Sequence, residues 1–369
     1  MTDREREVYD LISQNPMISQ EEISEKLKIA RSSVGVHISN LMKKGYVLGK
    51  GYVLKESPYI LVIGGANIDI EGYPTGKFQM KDSNPGVVKR SFGGVGRNIA
   101  ENLAMLDLDT KLISLVGDDS SGRDLLDYCK RRGIDVSNVE VVEGKSTSTY
   151  LSILGAEMDM EVAISHMDIM DGMDERLIMK KQNLIRGAKL CVLDTNLPKG
   201  VIEFLLNNFD VPFVVDTVSL EKSRKIEGLY HRIDVLKPNL IEAEYISGVK
   251  IEGEEDVVAA GERIHELGIK NIFISLGKDG VYYKNQAESG FIRPPKTEVV
   301  GSTGAGDAFL SGVVLGRVLE RSIEEQAMYG VANSICSLES KSNIPEDLSR
   351  KKIEEKLEEV KRCNFTKSI

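Results

Sequence analysis

No apolar run in these 369 residues approaches the length of a membrane span, and the longest, such as "YILVIGGA" at 59–66, fall far short of one. The opening "MTDREREVYD" is charged and lacks the apolar stretch that a secretory leader needs. Cys129, Cys191, Cys336 and Cys363 are scattered without a CxxC pair. That argues against a disulfide framework or a zinc site and for a reducing, cytoplasmic setting. His37, His166, His231 and His265 show no ligand spacing, so no metal centre is read from them. Acidic residues are missing from one place in particular. Between Lys26 and Lys55 there are seven Lys or Arg and no Asp or Glu.

What is present is a globular composition, 41% hydrophobic and 28% charged, in a chain long enough for two domains. The net charge of −9 is uneven: residues 1–57 sum to +1, which leaves −10 for residues 58–369. A basic segment on an acidic body points to two jobs.

In the first segment Val8, Leu11 and Ile12 have helical spacing. "SQEEISEKL" follows, where Ser19 and Glu22 are spaced as a capping box and Ile23 and Leu27 make the apolar stripe. After a tight turn at 28–30, Val34, Ile38 and Leu41 mark one face of a third helix. Ser32, Ser33, Val36, Asn40 and Lys43 fall on its other half. "GYVLGKGYVL" (45–54) reads as a hairpin. Three short helices and a basic hairpin resemble a winged helix-turn-helix domain. The third helix would enter the major groove of double-stranded DNA, with Ser33 and Asn40 on the groove face and Arg31, Lys43, Lys44 and Lys50 neutralising phosphates. The alternative is a docking or dimerisation module with a solvated basic face. Ser57-Pro58 is the expected linker, dividing the chain into 1–57 and 58–369.

From Tyr59 onward, β-branched runs alternate with amphipathic segments, which predicts a mostly parallel sheet with helices on both faces. Strands are expected at 59–64, 111–116, 189–194, 212–216, 233–236 and 271–275. Helices are expected at 95–106, 120–132, 175–186, 199–208, 239–247, 254–267, 306–319, 323–338 and 348–362. Segments 68–92 and 146–165 break the rhythm with strand-like pieces, which could form a small β lid over a site at the sheet's carboxyl edge.

Two glycine-rich turns lead into helices. In "GSTGAGDAFLSGVVLG", Gly304, Ala305 and Gly306 precede a helix whose first amides have no internal partner, an anion site. Asp307 stands in its first turn, where the helix dipole is expected to keep it ionised. A carboxylate beside a phosphate cradle fits one task, accepting a proton from a hydroxyl that attacks a phosphoryl group. "FGGVGRNIAENLA" (92–104) is the second such turn, with Asn98 one turn into its helix. Neither is a Walker A, and there is no HRD or DFG pairing.

These pieces resemble the PfkB, or ribokinase-like, family of carbohydrate and nucleoside kinases. "GGANIDIEG" (64–72), "GGVGRN" (93–98), "KPNLIEAE" (237–244), "SLGKDGVYY" (275–283) and "STGAGDAFLSGV" (302–313) match its motifs in order. The resemblance implies a three-layer α/β/α sandwich with a β lid, acting on ATP with magnesium. Asp307 would be the base, and the amides of Gly304, Ala305 and Gly306 would stabilise the transferred group. Asn67, Asp69, Gly93, Gly94 and Asn98 would hold the acceptor. Asn239, Ser275, Gly277, Gly280 and Asn333 would border the nucleotide. Glu242 would hold magnesium through water. Many relatives that use a monovalent cation carry an Asp six positions before the base. Gly301 stands there, so that side-chain ligand is absent.

"DSNPG" (82–86), "STSTYLSIL" (146–154) and "VDTVS" (215–219) look closest to pseudouridine kinases, which phosphorylate a 5′-hydroxyl. Asp82, Asn84 and lid hydroxyls such as that of Thr149 would then meet the base. Ribose, adenosine or inosine, and fructose are the alternative acceptors, and a homodimer is the expected assembly. A different class also stays open: a sensor-repressor in which a kinase fold has become a ligand-binding module.

Overall fold

Ile60, Leu61, Val62 and Ile63 are all buried, but on opposite sides. Ile60 and Val62 join one apolar core, and Leu61 and Ile63 join another. A strand dry on both faces belongs inside a sheet that is covered twice. The computed structural model describes residues 1–47, 58–155, 160–301 and 304–365. They fall into two units, Met1–Ser57 and Pro58–Ile369.

The amino-terminal unit has helices α1 (Asp3–Gln14), α2 (Gln20–Leu27) and α3 (Arg31–Lys43). They close on Val8, Ile12, Ile18, Ile23, Val34, Ile38, Leu41 and Val47. The capping box forms as its spacing predicts: Ser19 Oγ accepts from the Glu22 amide at 3.1 Å, and the Glu22 carboxylate accepts from the Ser19 amide at 2.7 Å. Thr2 and Glu5 make a second box at α1. The expected hairpin, with Lys50, lies from residue 48 onward outside the described residues.

The large unit contains β1 (Ile60–Ile63), β2 (Asn67–Pro74), β3 (Gly86–Gly93), β4 (Thr110–Ile113), β5 (Leu115–Gly117), β6 (Glu140–Val142), β7 (Thr149–Leu154) and β8 (Met160–His166). It continues with β9 (Leu190–Asp194), β10 (Phe213–Asp216), β11 (Val235–Lys237), β12 (Asn271–Ser275), β13 (Val281–Lys284) and β14 (Ser289–Ile292). The main sheet runs β14-β13-β12-β11-β10-β9-β1-β4. Strands β4 through β12 in that order are parallel, and β13 and β14 extend it antiparallel.

One face is covered by α4 (Val95–Met105) and α5 (Ser120–Arg131), and the other by α6 (Glu175–Lys180), α7 (Gln182–Gly187) and α8 (Lys199–Asn208). After the short α9 (Leu220–Ser223), α10 (Leu240–Ser247) and α11 (Glu254–Glu266) continue the second face. Helices α12 (Ala305–Val318), α13 (Ile323–Leu338) and α14 (Arg350–Phe365) complete the first. Helices α12 and α13 touch closely: a Cβ on Gly312 would lie 2.3 Å from the Tyr329 carbonyl oxygen. The lid is a separate four-stranded sheet, β3-β2-β7-β8.

Two expectations need correction. The strand expected at 111–116 divides at Ser114: β4 stays in the main sheet, while β5 leaves it to pair with β6. The helix expected at 175–186 is two helices, broken at Lys181 (φ −101°, ψ 9°), and no glycine or proline announces the break.

Candidate functional site

The parallel strands deliver charge to one edge. Strand β9 ends in Asp194, β10 in Asp216 and β11 in Lys237, and the three are in register. Two aspartates on adjacent strands repel unless each is answered. Asp194 is answered by backbone: Oδ2 accepts from the Gly65 amide at 2.8 Å and the Gly96 amide at 2.7 Å, and Oδ1 from the Asn196 amide at 2.8 Å. Burial still wins and pushes its carboxyl above the usual carboxylate range. Asp216 is answered by the ammonium of Lys237 at 2.8 Å. Burial pulls that ammonium down, but Asp216, Asp307 and Glu242 together raise it above its ordinary value.

Helix α12 begins over this row. Gly304, in the left-handed region at φ 84°, turns the chain into the helix, and Asp307 follows in the first turn. Asn98, from the first turn of α4, donates through Nδ2 to Asp307 Oδ2 at 2.7 Å. The two glycine-rich turns therefore meet at one carboxylate. Its carboxyl is harder to ionise than the helix dipole alone would make it. Burial, then the nearby Asp216, push Asp307 up to about 7, outweighing the Asn98 hydrogen bond and Lys237. A dipole effect of about 1 kcal/mol is too small to reverse this.

A cleft of about 640 Å³ opens beside Gly306, lined among others by Lys237, Ser275, Gly277, Gly280 and Ala305. From α13 it receives Val331, Ser334, Ile335 and Leu338, one helical face. Asn333 is not on that face. It is buried, donating to the Ala308 carbonyl at 2.7 Å and to Asn102 Oδ1, so its place is a helix–helix contact rather than the cleft. Asn239 caps α10 and is reciprocally bound by Glu242. Glu242 is buried rather than a surface charge, and the Thr217 hydroxyl also donates to it. Among the described residues no three of His, Cys, Asp and Glu gather as a metal site. A divalent ion here would rely on phosphate oxygens and water, with Glu242 as a single carboxylate.

On the far side of Asp307, Asn67 donates to Asp69 at 2.6 Å, and burial raises the Asp69 carboxyl. Gly94 adopts φ 97°, and a Cβ there would lie 2.5 Å from the Gly65 carbonyl oxygen, so the loop after β1 and the start of α4 can touch only through glycine. Thr149 sits at the root of the lid, its hydroxyl on the Thr147 carbonyl. The lid hydroxyls are not uniformly offered to a ligand. Thr147 is spent on Asp119, whereas Ser148 Oγ is buried with no partner among the described residues. Asp82 and Asn84 bond their own loop, Asp82 at the Ser83 amide and Asn84 at Gln79, and Asp82 is exposed. At Gly301 a Cβ would sit 2.8 Å from the Ser340 carbonyl oxygen, so a side-chain ligand has no room.

Comparison with known proteins fits this arrangement. Residues 57–348 match the profile of the pfkB family carbohydrate kinases. The chain belongs to that family. The uncharacterized sugar kinase YeiI of Escherichia coli K12 is 36% identical over 93% of this chain and 95% of its own length. The pseudouridine kinase of the same organism is 40% identical over 70% of this chain and 84% of its own. A crystal structure of a Clostridium perfringens protein superposes with a TM-score of 0.75 at 34% identity, over 82% of this chain and 96% of that one. Residues 1–47 match a winged helix-turn-helix DNA-binding profile. Among the described residues, no helix of this pfkB kinase is long and apolar enough to cross a membrane.

Sequence reasoning missed several residues of the pfkB site. Lys237, Arg97 and Asp216 lie inside the quoted stretches "KPNLIEAE", "GGVGRN" and "VDTVS" but were given no role, and Asp194 carries a signal only as a polar residue closing an apolar strand. In the amino-terminal unit, Arg31, Ser33 and Lys43 are exposed and Asn40 is half-buried on α3. Arg31 lies 3.5 Å from Glu21. Lys44 is a correction: its ammonium is held by the buried Glu5 at 2.7 Å, and that contact lowers the Glu5 carboxyl to about 2. Its charge serves the fold of the domain.

The Asp307 shift has a consequence for stability. A carboxyl whose pKa rises on folding weakens the fold as pH climbs from its unfolded value of about 4 to about 7. Asp307→Asn removes that penalty. Its gain in Tm over the wild type should be larger at pH 8 than at pH 5; equal gains at both would contradict a buried charge here.

Proposed function

We propose that the large unit is an ATP-dependent kinase that phosphorylates the 5′-hydroxyl of a nucleoside, pseudouridine before others. The observation that carries this reading is the Asn98–Asp307 contact, which joins the acceptor side to a helix start that lines the cleft. ATP occupies the cleft with its γ-phosphate toward Gly304–Gly306. Their amides and the Lys237 ammonium face the charge that develops on the transferred group. Asn67, Asp69, Gly93, Gly94 and Asn98 orient the acceptor. Asp307 takes the hydroxyl proton as the new O–P bond forms and the β–γ bridging bond breaks, leaving ADP. Magnesium would supply neutralisation of phosphate charge, and Glu242 would be the carboxylate that holds it.

Pseudouridine is favoured by the 40% identity to a pseudouridine kinase. A base with a raised pKa supports an enzyme over a sensor, because simple binding gives a proton acceptor no task. In a steady-state panel, kcat/KM for pseudouridine should exceed that for uridine, adenosine and ribose by at least about tenfold. Asp307→Asn should lower kcat by about 10²-fold or more while the nucleoside still binds. A win for ribose or adenosine would overturn the substrate, and near-normal turnover by Asp307→Asn would overturn the base.

The amino-terminal unit we read as a duplex-DNA reader, with α3 in the major groove. With Lys44 engaged by Glu5, the phosphate contacts fall to Arg31, Lys43 and Lys50. The slope of log K against log salt should then be about −3 per protomer on the upstream region of the protein's own operon. Lys43→Ala should flatten it by about one unit, whereas Asn40→Ala should change which sequence is preferred. No binding at low salt would reassign this surface to docking.

A further inference from the structure

Arg97 is 2% exposed, and the chemistry above gives it no part. A buried guanidinium is costly unless its donors are met. Here they are. Nε donates to the Gly93 carbonyl at 3.0 Å, Nη2 to the Phe92 carbonyl at 2.7 Å and to Asn98 Oδ1, and Nη1 to the Glu101 carboxylate. Glu101 also accepts from the hydroxyl of Tyr128, on α5, at 2.7 Å and from Nε of Arg132, just past its end, at 2.5 Å. Phe92 stacks on Tyr128 with ring centres 4.5 Å apart.

This network decides the orientation of one amide. A guanidinium has donors and no acceptor, so the Asn98 atom facing it must be the oxygen. The nitrogen is thereby turned to Asp307. We propose that Arg97 is a positioning residue, which fixes the Asn98 amide as a donor to Asp307 and ties that contact to the root of lid strand β3. The inference rests on the reading of Asp307 as the base. Phe92 and Gly93 are the last residues of β3, so the side chain that orients Asn98 also anchors the strand leading out to the lid. Arg90 strengthens the same anchorage, donating to the Ser121 hydroxyl of α5 at 2.9 Å. Without Arg97 the Asn98 amide is free to rotate, and its oxygen would then meet a carboxylate that needs a donor. The charged groups that act on Asp307 include Asp216, Lys237 and Asp194, from three different strands.

The test is a double-mutant cycle in the full-length protein. Arg97→Met is combined with Glu101→Gln, so that neither charge of the buried pair is stranded, and the pair is examined with and without Asn98→Ala. With Asn98 in place, loss of the pair should lower kcat roughly 10- to 100-fold, with KM for ATP unchanged. In the Asn98→Ala background it should cost less than about twofold, because Arg97 then has no amide left to orient. Equal costs in the two backgrounds would overturn the proposal, since a general loss of packing multiplies. A crystal structure of the paired variant without substrate gives a readout independent of turnover. The Asn98 side chain should leave Asp307, and its retention at hydrogen-bond distance would overturn the proposal. A wild type inactive on every acceptor would sink the kinase reading and leave this structural arm standing. If the paired variant does not fold, Arg97→Lys keeps the charge beside Glu101 but cannot reach Phe92 and Asn98 together, and the same outcomes apply.

Discussion

Two aspartates and a lysine stand in register at the ends of three neighbouring parallel strands, and the rest of the site exists because that row is tolerated. In-register parallel pairing puts Asp194 beside Asp216 whatever their charge. Backbone amides answer the first and Lys237 the second. Two of the amides come from Gly65 and Gly96, so answering Asp194 pulls the loop after β1 against the start of α4. The same pull sets Asn98, two residues further along α4, where it reaches Asp307.

Lys237 is central in a second way. It neutralises Asp216, lines the cleft and lies 3.2 Å from where a Cβ on Gly306 would be. A single buried cation thus serves both the strand ends and the glycine turn where phosphate charge would collect. Among the described residues Asp307 accepts one side-chain hydrogen bond, from Asn98, and burial first, then the negative Asp216, raise its carboxyl.

Much of this was legible in the sequence because local rules dominate there. Capping spacing placed Ser19 and Glu22, and β-branched runs placed the parallel strands. Two glycine-rich turns marked the helix starts that meet at Asp307. What could not be read was set by contacts distant in sequence. Asn333 was expected at the nucleotide, but helical phase turns it into the α4–α12 contact. Lys44 looks like a free cation until Glu5, far back in α1, closes on it. The helix dipole suggested an ionised Asp307, yet the opposing burial comes from strands that end far from it in the chain. The break at Lys181 has no residue-level signal at all.

The central claim is that a carboxyl held near pH 7 by its surroundings accepts the proton of the acceptor hydroxyl. The most direct measurement is kcat/KM for the nucleoside against pH, from 5 to 9, at saturating ATP and magnesium. A protonated Asp307 cannot act as the base, so the account predicts an acid limb centred at about 7, falling about tenfold per pH unit below it. A profile that stays flat down to pH 5 would contradict it.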